Sequence, residues 1–170
     1  MENQKTVVIA ALVENKPGVL HSVANMFRRR NFNIESITVG HTEQKGITRM
    51  TITVSGDEKT LEQIVKQMNK LIDVVKVGRL EPENIVTREL ALIKVSAPDA
   101  KIRSDIINCV EVFRGHIVDV SSETLTIEIT GAPDKIEAFL NLMKPYGIME
   151  LARTGLTALS RGIKSIRIDE

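Results

Sequence analysis

The feature that most limits what this chain can become is a repeat. Met50-Thr-Ile-Thr-Val-Ser-Gly56 matches Leu125-Thr-Ile-Glu-Ile-Thr-Gly131 at an offset of 75 residues. The apolar stripe that follows, Leu61, Ile64, Val65 and Met68, falls on Ile136, Phe139, Leu140 and Met143. In each copy a run with period two ends at a glycine and a run with period 3.6 takes over, which is a strand handing over to a helix. Four inward positions landing together point to one architecture used twice.

The segments around the repeat fill in that architecture. "KTVVIAALV" (5–13) is apolar on both parities, the pattern of a strand covered on both faces. A helix is predicted over 17–30, with Val19, Leu20, Val23, Met26 and Phe27 at helical spacing. Strands follow over 32–40 and 47–56, joined by the polar loop His41 to Gly46. In the second of them Met50, Ile52 and Val54 alternate with Arg49, Thr51 and Thr53, so one buried face is expected. Asp57 opens a helix carrying Leu61, Ile64, Val65, Met68 and Leu71, and 73–80 closes the unit as a strand. The order is β-α-β-β-α-β.

"EPENIVTRE" (81–89), with a proline and several acids, reads as a linker. The order then recurs. A strand at 90–97 leads to a helix with Ile102, Ile106, Val110 and Phe113 inward and a stop at Gly115. "HIVDVSS" and "TLTIEITG" are two strands, "APDKIEAFLNLMK" is a helix ended by Pro145, and "IMELAR" is a last strand. The expected fold class is α+β: two ferredoxin-like βαββαβ domains, residues 1–80 and 90–170, each a four-stranded antiparallel sheet with two helices on one face. One larger α/β domain is the alternative, and the antiparallel hairpins and charged linker count against it. The first strand is apolar on both faces, so its sheet needs a second cover, from a partner subunit or from the other domain.

Composition narrows the function classes. Of the 170 residues, 42% are hydrophobic and 26% charged, enough apolar material for a real core. The net charge is +1, which argues against bulk attraction to nucleic acid or anionic membrane. The single cysteine, Cys109, cannot form an intrachain disulfide and fits a reducing compartment. "MENQKTVV" shows no signal peptide, and no apolar run approaches the length of a membrane span, so a cytoplasmic protein is expected.

The stretch with the most chemistry is Asn15-Lys16-Pro17-Gly18, between the first strand and the first helix. The first N–H groups of a helix lack intrahelical acceptors and sit at the positive end of its dipole, a ready place for a carboxylate. Asn15 can cap the helix or meet a ligand through its amide. Pro17 loses no hydrogen bond in a first turn, and Gly18 lets a ligand or a backbone come close. Val19 and Leu20 can offer apolar surface or enter the core. Amides for a carboxylate, an Asn oxygen for an ammonium and apolar walls together suit a small amino acid. The same residues also make a good turn with no ligand at all.

"VENKPGVLHSVANMFRRRNFNIESI" resembles the ACT domain, a small amino-acid-sensing module. More closely, the chain resembles the small regulatory subunits of acetolactate synthase (acetohydroxyacid synthase). That likeness is carried by Asn15-x-Pro17-Gly18-Val19-Leu20, Phe32-Asn33-Ile34-Glu35-Ser36, "RMTITVSGDEKTLEQIVKQMNKLIDVVKV", "VFRGHIVDVS" and "ARTGLTALSRG", and covers nearly the whole chain. The resemblance implies a non-catalytic subunit that activates the catalytic (large) subunit of acetolactate synthase and confers feedback inhibition in branched-chain amino acid biosynthesis. It implies a valine-type effector bound where two ACT domains pair side by side as a homodimer. Carried over to this chain, the effector-binding residues are Asn15, Gly18, Val19 and Leu20 at the turn. Asn33 and Ile34, at the start of the second strand, would reach the effector from the neighbouring subunit. Thiamine diphosphate, magnesium and FAD are implied only for the catalytic subunit, with no cofactor in this chain. Asn31 stands where the family often has glycine, and Asn also tolerates the left-handed conformation.

Other chemistries find little support. Arg28-Arg29-Arg30 is suited to a solvated helix end, where the dipole favours cations. The RNA-recognition fold shares this element order, but "TVVIAALV" and "RMTITVSG" lack stacking aromatics. His21, His41, His116 and Cys109 show no metal-ligand spacing. No nucleophile elbow, phosphate loop or dinucleotide fingerprint occurs, so no catalytic residue is assigned. "TGLTALSRG" near the end reads either as a docking tail or as a surface turn. An alternative function is a stand-alone amino-acid-responsive module that works with a transcription factor or another biosynthetic enzyme.

Overall fold

The computed structural model describes residues 5–168. The element order is β1 (Lys5–Glu14), α1 (Val19–Arg29), β2 (Ser36–His41), β3 (Ile47–Gly56), α2 (Glu58–Met68), β4 (Val74–Leu80), β5 (Ile85–Ser96), α3 (Ala100–Val112), β6 (His116–Val120), β7 (Thr124–Gly131), α4 (Pro133–Met143), β8 (Ile148–Arg153) and β9 (Thr157–Ser160). These divide into two compact units, Met1–Val86 with Gly155–Glu170, and Thr87–Thr154.

In the first unit the sheet order is β2-β3-β1-β4, all antiparallel. Alternation places Val7, Ile9, Ala11 and Val13 of β1 on the same side as Met50, Ile52 and Val54 of β3. There they form one buried core with Val23 and Phe27 of α1 and Leu61, Ile64 and Met68 of α2. α2 begins at Asp57, whose carboxylate accepts the Thr60 N–H at 2.7 Å and so satisfies one of the orphan donors of the first turn.

The opposite face of this sheet is covered by the chain itself. Val8, Ala10 and Leu80 form a second buried cluster with Leu156 and Ala158, and Ile85 and Ile166 pack partly against it. The cover demanded by the two-faced strand is therefore the C-terminal segment, which the sequence assigns to a domain over 90–170. Thr51 is buried and Arg49 half-buried for the same reason, so β3 has two covered faces where its alternation predicts one.

Two boundaries differ from expectation. β2 starts at Ser36, not at residue 32. Asn31 takes φ 56°, the Phe32 N–H returns to the Phe27 carbonyl at 3.0 Å, and the chain reaches the sheet only when the Glu35 N–H meets the Thr53 carbonyl. The expected linker 81–89 holds a single 3-10 turn, Pro82–Asn84, before β5 begins at Ile85.

The second unit repeats the plan, with strand order β6-β7-β5-β8. Ala91, Ile93 and Val95 of β5 and Leu125, Ile127 and Ile129 of β7 pack against Ile106 and Val110 of α3. All four stripe residues of α4, Ile136, Phe139, Leu140 and Met143, are buried with them. The end of α3 differs in detail from the glycine stop. Arg114, not Gly115, adopts the left-handed conformation, at φ 54°. A Cβ on Gly115 would lie 3.0 Å from the Glu128 carbonyl oxygen, so the close approach claims the glycine and leaves the strained position to arginine.

Candidate functional site

The turn after β1 is fixed from three sides. The Glu14 N–H donates to the Asp73 carbonyl at 2.9 Å, the Asn15 N–H to the Gly46 carbonyl at 2.8 Å, and the Lys16 N–H to the Glu14 carbonyl at 3.0 Å. Beside it Lys16 and Glu14 form an exposed ion pair, which holds the Lys16 ammonium above its usual range. Gly18 is the N-cap of α1, at φ 90° and ψ −13° with no side-chain cap. That conformation favours glycine, and a Cβ there would meet no atom within 4 Å. The surroundings of Gly18 are open.

α1 consequently starts with unsatisfied donors. The Ser22 N–H bonds the Gly18 carbonyl at 2.9 Å and the Val19 N–H reaches the Lys16 carbonyl at 3.4 Å. The N–H groups of Leu20 and His21 have no acceptor among the described residues. They sit at the positive end of an eleven-residue helix. The Asn15 side chain is exposed and makes no hydrogen bond among the described residues, so it does not cap the helix.

The two apolar residues of the turn part company. Val19 is buried in the first core, whereas Leu20 is 49% exposed on the surface beside Gly18. Asn33 is exposed, and its Nδ2 donates to Glu35 Oε1 at 2.9 Å. Ile34 packs partly against the first core. Both precede β2 and so lie in a connecting segment, not within the strand.

Asn15, Gly18 and Leu20 thus share one corner, at the start of α1, while Asn33 and Ile34 follow its far end. A helix of eleven residues is about 16 Å long. The six residues predicted as one site are therefore not brought together within one chain. The Gly46 carbonyl, which anchors Asn15, lies outside the residues that the sequence singles out. A glycine at φ 83° closing a polar hairpin loop is its only signature.

Other features are placed plainly. Arg29 and Arg30 line a groove of about 570 Å³ with Lys70, Met26 and Leu71, between the C-terminal ends of α1 and α2. Cys109 packs partly against the second core. Among the described residues no group of three His, Cys, Asp or Glu could hold a metal ion, and no helix is long and apolar enough to cross a membrane.

Known proteins show the same two-part plan. Residues 9–76 match the family described as the AHAS small subunit-like ACT domain, and residues 88–162 match the small subunit of acetolactate synthase. A probable acetolactate synthase small subunit of Methanothermobacter thermautotrophicus is 58% identical, over 95% of this chain and 96% of the relative. The acetolactate synthase small subunit of Mycolicibacterium smegmatis is 55% identical, over 95% and 94%. A crystal structure of the small subunit from Thermotoga maritima, 51% identical, superposes with a TM-score of 0.88 over 94% of this chain and 99% of that one. The family models together reach from residue 9 to residue 162, and the chain belongs to the acetolactate synthase small-subunit family.

Proposed function

We propose that this chain is the non-catalytic regulatory partner of an acetolactate synthase catalytic subunit, and that it senses a branched-chain amino acid of the valine type. It raises the activity of the catalytic subunit, and the bound amino acid lowers that activity. The effector sits between two copies of the first unit paired side by side. The α1 corner of one copy supplies Asn15, Gly18 and Leu20, and Asn33 with Ile34 comes from the other.

The observation that carries this reading is the open α1 corner. Among the described residues the N–H groups of Leu20 and His21 at a helix N-terminus have no acceptor, Gly18 leaves room beside them, and the Asn15 amide has no partner. A carboxylate accepts from the N–H groups, an ammonium donates to the Asn15 amide oxygen, and Leu20 meets an aliphatic side chain. Val19, being buried, shapes the corner from within. The separation of Asn33 from that corner by the length of α1 favours a site completed by a second copy. β2 lies at the edge of its sheet and leaves that edge for pairing, while the outer sheet face is already occupied by the chain's own C-terminal segment. Feedback then requires that the effector bind the inhibited arrangement of the complex more tightly than the active one.

Calorimetric titration with valine, using leucine, isoleucine and alanine as comparisons, tests the sensor, alone and with the catalytic subunit. Saturable binding that is lost in Asn15→Ala and in Asn33→Ala supports the reading. Binding that survives both substitutions, or none even in the presence of the catalytic subunit, sinks it.

A further inference from the structure

A second cavity lies on the other side of the first sheet, roofed by the C-terminal segment. We propose that it is a ligand site distinct from the α1 corner, one for a small aliphatic monocarboxylate, with Arg49 as its anion anchor.

Arg49 sits on β3 opposite Leu12 of β1 and Gly40 of β2, on the outer face of the sheet. Its Nη2 donates to the Ala158 carbonyl at 3.0 Å. Its Nε is buried and has no hydrogen-bond partner among the described residues. Among the described residues no carboxylate lies within ion-pair distance of it. A half-buried guanidinium that no carboxylate of the described residues touches is an expensive group to keep in a fold. Burial pulls its pKa below the usual arginine value, and Glu43 opposes that shift only at longer range.

The space beside this cation measures about 400 Å³, within the range of small-molecule pockets. Its lining is of two kinds. Leu12, Leu159 and Ile166 supply apolar wall, and Arg49, Arg167 and His41 supply cations or hydrogen-bond donors. Among the described lining residues Glu43 is the one carboxylate, against two arginines, so these residues favour an anion over a cation. The remaining guanidinium N–H donors of Arg49 fit a carboxylate, and the apolar wall fits a short branched or straight chain. None of the lining residues belongs to the α1 corner, so this inference stands or falls apart from the proposed effector site.

The full chain, labelled with nitrogen-15, is titrated with 3-methylbutanoate while the Arg49 Nε–H and the His41 ring are followed by NMR. The amine of the same carbon skeleton and valine serve as comparisons. We expect a saturable shift of the Arg49 Nε–H with the acid and none with the amine. Arg49→Gln should weaken binding about tenfold or more, as loss of a charge-assisted hydrogen bond does. Arg167→Gln, on an exposed side chain, should weaken it less, and Asn15→Ala should leave it unchanged. No shift at millimolar acid in the wild-type chain overturns the proposal without reference to any variant. Equal binding of the amine, or loss of acid binding in Asn15→Ala, overturns it too.

Discussion

Gly155 lies against the backbone of Ile37: a Cβ on Gly155 would stand 2.9 Å from the Ile37 carbonyl oxygen and 2.7 Å from Thr38 Oγ1. The contact fixes where the C-terminal segment meets β2, and the Leu156 N–H lies 3.5 Å from Ser36 Oγ just beyond it. Gly155→Ala should therefore destabilise the protein by about 1–3 kcal/mol through overpacking. Urea denaturation of the two proteins checks this, and an unchanged midpoint would show that the segment can move away at no cost.

Leu156 tests the same cover from its apolar side. It is 7% exposed and buried with Val8, Ala10, Leu80 and Ala158. Leu156→Ala should cost about 2–4 kcal/mol, the range for a leucine removed from a packed site. A loss below about 0.5 kcal/mol, the scale of an ordinary surface change, would mean that the segment is only loosely seated in solution.

The four-residue stripes of α2 and α4 were legible because burial on one helix face writes itself as period 3.6, and every repeated inward position except the half-buried Val65 is buried. What covers β1 from outside was not legible. "TGLTALSRG" holds only Leu156 and Ala158 as inward residues, too few to reveal a partner that lies far away in sequence. Phe32 and Ile34 imitate strand alternation, but both are drawn toward the helix core while the chain crosses from α1 to the sheet edge. At the α1 corner the residue types could be read and their bonding could not. Whether Asn15 caps the helix depends on the turn, and there Gly18 takes the cap position, so the Asn15 amide does not cap it.

Arg114 holds a left-handed conformation, at φ 54°, which a glycine would hold without strain. Arg114→Gly should raise stability by up to about 1 kcal/mol, offset in part by the extra freedom glycine gains in the unfolded chain. Gly115→Ala should do the reverse, because its Cβ would press on the Glu128 carbonyl oxygen at 3.0 Å. Thermal melts of both variants decide the pair; a stabilised Gly115→Ala would contradict the account of how α3 ends.

Asp57 gives the fold a dependence on acid. Its carboxylate accepts from Thr60, which holds its pKa below the ordinary aspartate value. A group with a depressed folded pKa contributes stability that is fully present above its unfolded pKa and lost as pH falls through the folded one. Stability of the first unit should decline as pH drops below about 4, the ordinary range for aspartate. Asp57→Asn, which still caps the helix but does not titrate, should flatten that decline. Urea midpoints measured from neutral to acidic pH provide the check, and parallel curves for the two proteins would remove Asp57 as the cause.

Asn15 separates sensing from folding, because its side chain and its backbone do different work. Its side chain is exposed and bonds nothing among the described residues, while its backbone N–H does the structural work at the Gly46 carbonyl. Asn15→Ala keeps that N–H, so stability should stay within about 0.5 kcal/mol of the wild type. If the amide oxygen receives an effector ammonium, the same substitution should weaken valine inhibition of the assembled enzyme by about tenfold, the scale of a charge-assisted hydrogen bond. The two readings are independent, and each outcome carries its own meaning. Lost inhibition with an unchanged melt places the amide at the effector. Lost inhibition with a lowered melt means that the turn itself was damaged, and unchanged inhibition removes Asn15 from the sensor whatever the melt shows.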